Sequence, residues 1–265
     1  MTLVVAHRGS SGAHAEHTLT AYEKAVQEGA DALECDVRLT RDGVLVCVHD
    51  RRVDRTSDGR GSVSTLELAE LAELDFASWK LRQSDPLLEA SWEDYDRDQG
   101  TVLTLERLVQ LARSSDRLVE LHIETKHPTR YGGLVERALV DLLDRYDLAT
   151  PASREQSQVT VMSFAPTSLR RIHVMAPTLP TVYLMSRVPL RYRDGSLPSR
   201  IPIAGPSLDI VKAHPSYVER VHAQGNRVHV WTVDSAEDIA SMLELGVDAV
   251  ISNHPKRVLR QLERA

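Results

Sequence analysis

Residues 32–50 read ALECDVRLTRDGVLVCVHD, two β-rich runs separated by only six residues, RLTRDG. How these two runs pair decides the fold. Parallel neighbours need a crossover of a dozen or more residues, whereas antiparallel neighbours can close through a tight turn. Asp42-Gly43 supplies the turn signal, so the pair reads as a hairpin. The count then resolves itself. Nine runs look like strands: LVVAH (3–7), ALECDV (32–37), VLVCVH (44–49), VELHIET (119–125), VTVMSF (159–164), TVYLM (181–185), SLDIV (207–211), RVHVWTV (227–233) and AVIS (249–252). Helical patterns alternate with them, as in repeated βα units. Setting aside the return strand of the hairpin leaves eight, the number of a (β/α)8 TIM barrel.

At 265 residues, 42% of them hydrophobic and 26% charged, the chain can bury the core of one such barrel. Residues 1–265 are therefore read as a single catalytic domain. The stretch 51–110 breaks the alternation and reads as an insertion over the barrel mouth. Within it, SDGRGSVSTLELAELAEL (57–74) offers a loop and a helix with a capping box from Ser64 to Glu67. A second irregular stretch, SRVPLRYRDGSLPSRIPIAGP (186–206), reads as a long loop rich in Arg and Pro. The net charge of −6 argues against general nucleic-acid binding, so a phosphate site has to be a local basic pocket. No apolar run reaches the length of a membrane span, and stable membrane anchoring is not expected. With Cys35 and Cys47 read as buried small hydrophobes and no signal peptide expected, the class favoured is a cytoplasmic enzyme.

Alternation along a strand points Glu34 and Asp36 the same way, with Cys35 opposite. Folding the hairpin about Arg41-Asp42 sets His49 across from Glu34. Two convergent carboxylates repel, and either a hard divalent cation or facing arginines would relieve them. In VELHIETK (119–126), Glu120, His122, Glu124 and Lys126 share a face, and the last two reach the C-terminal end of the strand, where barrels build their active sites. Glu124 and Lys126 then serve either a metal and a phosphate or one another. His122 lies one layer deeper and reads as a hydrogen-bonded core histidine. The first strand ends in His7-Arg8-Gly9, a combination suited to an anionic substrate, with Gly9 letting the chain turn closely around it. Trp231 reads as barrel core.

The segments AHRG (6–9), EHTLTAYEKAVQEGADALECDVRLTRDGVLVCVHD (16–50), HIETK (122–126) and VWTVD (230–234), in this order, resemble the glycerophosphodiester phosphodiesterase family. The resemblance implies a barrel that hydrolyses a small-molecule glycerophosphodiester to an alcohol and glycerol 3-phosphate with a divalent metal, Mg²⁺ or Ca²⁺. It further implies Glu34, Asp36 and Glu124 as metal ligands and His7 and His49 as the acid–base pair. Arg8, Glu16 and Lys126 become substrate contacts, and Trp231 lines the pocket. One departure stands out. The family commonly shows Glu-Asn-Thr where this chain has Glu16-His17-Thr18, and His17 is expected near the mouth, altering selectivity or capping the helix. Two other readings use the same residues: a lysophospholipase D-like phosphodiesterase, which needs an apolar groove, and a glycerophosphodiester-binding module without turnover.

Overall fold

A computed structural model describes residues 1–80, 100–129 and 132–264. Eight parallel strands close into a barrel: β1 (Leu3–His7), β2 (Ala32–Leu39), β4 (Glu120–Thr125), β5 (Val159–Ser163), β6 (Thr181–Met185), β7 (Ile203–Pro206), β8 (Arg227–Val230) and β9 (Ala249–Ser252). Closure comes from β1, which pairs in parallel with both β2 and β9. The ninth strand, β3 (Leu45–Cys47), is the antiparallel return of the hairpin on β2. The chain is thus a (β/α)8 barrel.

The hairpin turn accounts for a shift of one residue in its register. Thr40 accepts from the Val44 amide through its side chain and donates its own amide to the Val44 carbonyl. This encloses Arg41-Asp42-Gly43, with Gly43 at φ 86°. A three-residue loop with a left-handed glycine pairs Val37 with Cys47, so Val48 follows opposite Asp36, and the register does not set His49 across from Glu34. Regular pairing stops at Cys47, and His49 reaches its position from the chain beyond the strand.

The seventh strand also corrects the expectation. SLDIV is not a strand: Leu208–Ala213 is a helix with Ile210 and Val211 buried. The strand is Ile203–Pro206, at the end of the stretch read as loop. Its sequence, IAGP, disguises it, because Gly and Pro argue against strand interiors. The packing explains the glycine. A Cβ on Gly205 would lie 2.7 Å from Val182 Cγ1 and 2.8 Å from Leu184 Cδ2.

Alternation divides the core as the sequence pattern requires. Leu33, Cys35 and Val37 of β2 and Leu121 and Ile123 of β4 face outward, packing with Tyr22 and Leu105 into one cluster. Val5, Met162, Val182, Leu184, Ile203 and Ile251 fill the lumen. Cys35 and Cys47 are both buried and free. Leu105–Arg113 buries Leu105, Leu108, Val109 and Ala112 in the outer cluster, so it is a barrel crossover helix, and the irregular stretch ends before it. Upstream, the capping box involves Glu67 and Glu70 at the start of the helix Leu68–Ala72; Ser64 lies in a 3₁₀ turn. Residues 81–99, including Trp92, fall outside the described part. No helix among the described residues is long and apolar enough to cross a membrane.

Candidate active site

The inward residues at the C-terminal ends of β1, β2 and β4 converge. Glu34, Asp36 and Glu124 each offer a carboxylate oxygen within 4.8 Å of the others, and all three side chains are buried. The register explains this, since β2 and β4 pair Asp36 with Glu124 and place Glu34 one layer below. Lys126 Nζ lies 2.9 Å from Glu124 Oε1 and 3.2 Å from Asp36 Oδ1. Arg8 places Nε 3.1 Å from Asp36 Oδ2 and Nη1 2.9 Å from Glu16 Oε1, and its amide donates to Glu34 Oε2 at 2.9 Å. Both alternatives left open by the sequence are therefore present: the carboxylates converge as a cation site would, and they face cationic side chains.

Electrostatics separates the three acids. Burial, then the charge of Asp36, pushes the Glu34 carboxyl well above its ordinary range. Burial and Asp36 likewise raise Glu124 to about 8. Burial alone would raise Asp36 too, but the hydrogen bond from His17 and the charges of Lys126 and Arg8 hold it well below. The same carboxylates keep Arg8 and Lys126 charged against the cost of burial.

The two histidines are oriented by different partners. His7 Nδ1 lies 2.7 Å from Asn253 Oδ1, and Asn253 Nδ2 donates to Asp234 Oδ2 at 2.6 Å. With the Asn253 amide nitrogen committed to Asp234, its oxygen accepts from His7 Nδ1. A neutral His7 then carries its proton on Nδ1 and leaves the Nε2 lone pair free, 4.0 Å from Glu34. Burial, then the neighbouring Arg8, lowers the His7 pKa to about 4. His49 Nδ1 pairs with Asp50 Oδ1 at 2.6 Å, and Asp50 Oδ2 accepts from Arg55 Nε at 2.6 Å. Asn253, Asp234, Asp50 and Arg55 escaped the sequence reading. Asn253 directly follows β9, a position the strand-end rule could have flagged, and Asp50 simply follows His49.

The remaining candidates are placed as follows. Glu16 engages Arg8 and Arg55 with both oxygens, at 2.7–2.9 Å. It thus acts on the arginines, and hydrogen bonding to Arg55 with the charge of Arg8 overcomes burial to bring its pKa to about 2. Gly9 is required by the helix Leu19–Glu28, not by a ligand, because a Cβ there would lie 2.6 Å from the Ala21 carbonyl carbon. His122 is fully buried and stacks on His229 with centroids 5.4 Å apart. Trp231 donates its indole N–H to the Gly205 carbonyl at 2.7 Å and meets Phe164 edge-on at 5.3 Å. Trp231 and Phe164 line a cavity of about 110 Å³. Its lining combines polar side chains, His7, Arg8, Glu34, His49, Glu124 and Lys126, with apolar ones, Met162, Phe164, Leu184, Trp231 and Ile251. Phe164 is 40% exposed at its rim. His17 is not at the mouth. It is buried under the acidic cluster, and the helix cap is Thr18, which accepts from the Ala21 amide.

The model of the glycerophosphoryl diester phosphodiesterase family matches residues 7–257. A probable glycerophosphodiester phosphodiesterase 1 of Mycobacterium tuberculosis is 48% identical over 263 residues, covering 98% of this chain and 92% of the relative. The glycerophosphodiester phosphodiesterase of Bacillus subtilis is 32% identical over 257 residues, covering 96% of this chain and 84% of the relative. Among solved structures, an Oleispira antarctica phosphodiesterase in complex with the product sn-glycerol-3-phosphate superposes with a TM-score of 0.82 at 26% identity, covering 99% of this chain and 97% of that one.

Proposed function

The chain belongs to the glycerophosphoryl diester phosphodiesterase family, and from that premise we propose that it hydrolyses glycerophosphodiesters to an alcohol and sn-glycerol 3-phosphate, with a divalent cation held by Glu34, Asp36 and Glu124. The observation that carries this reading is the convergence of three buried carboxylates with two separately oriented histidines in one cavity. The donor set suits a hard cation, because close carboxylates that cannot all ionise are relieved by a divalent charge. When bound, the ion supplies Lewis-acid stabilisation of charge on the phosphate oxygens.

The protein groups do the rest. Lys126 and Arg8 contribute fixed positive charge beside the phosphodiester, where it counts most as negative charge develops. His7, neutral with Nε2 free, is the base; Asn253 and Asp234 hold its ring and tautomer. His49 is the acid that protonates the leaving alkoxide; burial lowers its pKa, and the charge of Asp36, with the hydrogen bond to Asp50, works against that in favour of the imidazolium. The described part of 51–104 supports a covering role over the mouth. Arg55 reaches Glu16 and Asp50, and Lys80 donates to the Ser11 carbonyl at 3.1 Å. The leaving alcohol faces this side.

Purified protein assayed against a panel of glycerophosphodiesters is expected to lose activity with chelator and regain it with Mg²⁺ or Ca²⁺. Replacing Glu34, Asp36 or Glu124 by Ala should lower activity by at least about a hundredfold, the upper range for disturbing a metal site. Full activity after exhaustive dialysis against chelator would overturn the assignment.

A pH dependence follows from the same carboxyls. With Glu124 raised to about 8, its carboxyl carries a proton in the ion-free protein at neutral pH, and burial beside Asp36 shifts Glu34 in the same direction. A cation must displace that proton, so its affinity is lost as pH falls below 8 and rises towards a plateau above it. Calorimetric titration with Mg²⁺ in buffers of different ionisation enthalpy should show proton release at pH 7. Affinity independent of pH between about 6 and 9 would exclude Glu124 as a ligand.

A further inference from the structure

Strand pairing does not by itself hold His49 in place. The last ladder bond of the hairpin runs from the Val48 amide to the Asp36 carbonyl at 2.9 Å. Among the described residues, no backbone group is hydrogen-bonded to the amide or carbonyl of His49. Its imidazole nevertheless lines the cavity, and its Nδ1 pairs with Oδ1 of the very next residue, Asp50, at 2.6 Å. Adjacent side chains point apart in an extended strand and do not face each other in a helix. The peptide joining His49 to Asp50 has to be held in a bend for this pair to form.

One side chain reaches that peptide. Arg38, on β2, shares the face of Glu34 and Asp36 by alternation and lies one step nearer the mouth. Its guanidinium donates twice to the His49 carbonyl, from Nε at 3.0 Å and from Nη2 at 2.7 Å. Two donors in one rigid plane fix the direction of a carbonyl as well as its distance. Among the described residues Arg38 makes no ion pair, so the fork is spent on this one oxygen. The carbonyl belongs to the peptide that links the imidazole to its carboxylate. Asp50 is braced from its other oxygen, since Oδ2 accepts from Arg55 Nε at 2.6 Å. His49 thus has two supports: Asp50 and Arg55 act on the ring, and Arg38 acts on the backbone.

Building on the reading of His49 as the proton donor to the leaving group, we propose that Arg38 is a positioning residue for that donor. By clamping the peptide between His49 and Asp50, it keeps the imidazole paired with Asp50 and turned into the cavity. What this is worth depends on the departing oxygen. An alkoxide is too basic to leave without a proton, whereas a nitrophenolate leaves without one, so a displaced acid slows the first and spares the second. A general loosening of the barrel would slow both alike.

The test compares two esters of glycerol 3-phosphate, the ethanolamine ester and the p-nitrophenyl ester, with the same divalent ion throughout. Arg38→Ala is expected to lower kcat on the ethanolamine ester by about ten- to a hundredfold, the cost of misplacing a reacting group by about 1 Å. On the nitrophenyl ester the loss should be far smaller, and KM for both should stay close to wild type. In a His49→Ala background, Arg38→Ala should cost almost nothing further, because the donor it positions is gone. Arg38→Lys keeps the charge but replaces the fork by a single point donor, so it should recover only part of the loss. It also keeps the test decisive should Arg38→Ala fail to fold. Equal losses on the two esters, an undiminished loss in the double variant, or full recovery by Arg38→Lys overturns the proposal. If His49→Ala itself slows the two esters equally, the reading of His49 as the acid fails, and the proposal falls with its premise.

Discussion

His7→Ala is expected to lower kcat by about two to four orders of magnitude, the usual worth of a positioned acid or base, with little change in the melting temperature. The side chain sits at the end of β1 with one nitrogen held by Asn253 and the other turned towards the acidic cluster and the cavity. Its removal deletes a proton acceptor without opening the packed lumen. His49→Ala should cost about as much by removing the proton donor. Asn253→Ala provides an internal check: it leaves the imidazole in place but frees its ring and tautomer, so kcat should fall by less than in His7→Ala while KM stays close to wild type. His122→Ala serves as the contrasting case. That ring is fully buried against His229, beneath the reacting groups, so its loss should lower stability more than turnover. A folded but inactive His122→Ala protein, alongside a normal His49→Ala protein, would transfer the acid–base role to the wrong layer of the barrel for everything proposed above.

What the sequence reveals of this site depends on how local the determining contact is. Glu34 and Asp36 are legible because alternation along one strand is a property of neighbouring residues, and the strand-end rule adds Glu124 and Lys126 from another strand. The hairpin is legible because its turn is short. Its exact pairing was off by one residue because the left-handed Gly43 adds a residue that a simple two-residue fold-back does not count. The seventh strand was hidden for a tertiary reason: Gly205 is needed where Val182 and Leu184 crowd the backbone, and a glycine between apolar residues reads as loop. Partners of the histidines were hidden by distance along the chain. Asn253 lies 246 residues from His7, and no spacing rule connects them. Arg55 comes from the irregular stretch that follows the hairpin, where no period guides a reading. His17 is the instructive case. Its position next to Glu16 suggested the mouth, but its left-handed φ turns the side chain the other way, beneath Asp36, and only the backbone conformation reveals that.

Removing the glycerol 2-hydroxyl from the substrate is expected to slow turnover by at least about a thousandfold while leaving affinity nearly unchanged. His7 Nε2 lies beside the acidic cluster and lines a cavity of about 110 Å³, so on the proposed reading it takes the proton of a substrate hydroxyl next to phosphorus. A hydroxyl held in this way has an effective molarity of about 10⁵ M or higher, which bulk water cannot match. Attack by the 2-hydroxyl would give a cyclic phosphate and release the alcohol, with His7 taking the hydroxyl proton and His49 giving one to the departing oxygen; water then opens the ring. Choline, ethanolamine and simple alkyl groups leave through the same phosphoester oxygen, so exchanging them should change the rate only modestly. A bis-alkyl phosphodiester without glycerol should be nearly inert. Steady-state kinetics of matched 2-hydroxy and 2-deoxy substrates, with the cyclic phosphate sought in quenched reactions, decides the point. Equal turnover of the two would exclude the cyclic route and leave direct attack by water. The assignment of Glu34, Asp36 and Glu124 to a cation would survive that outcome, but His7 would no longer be the group that activates the substrate's own hydroxyl.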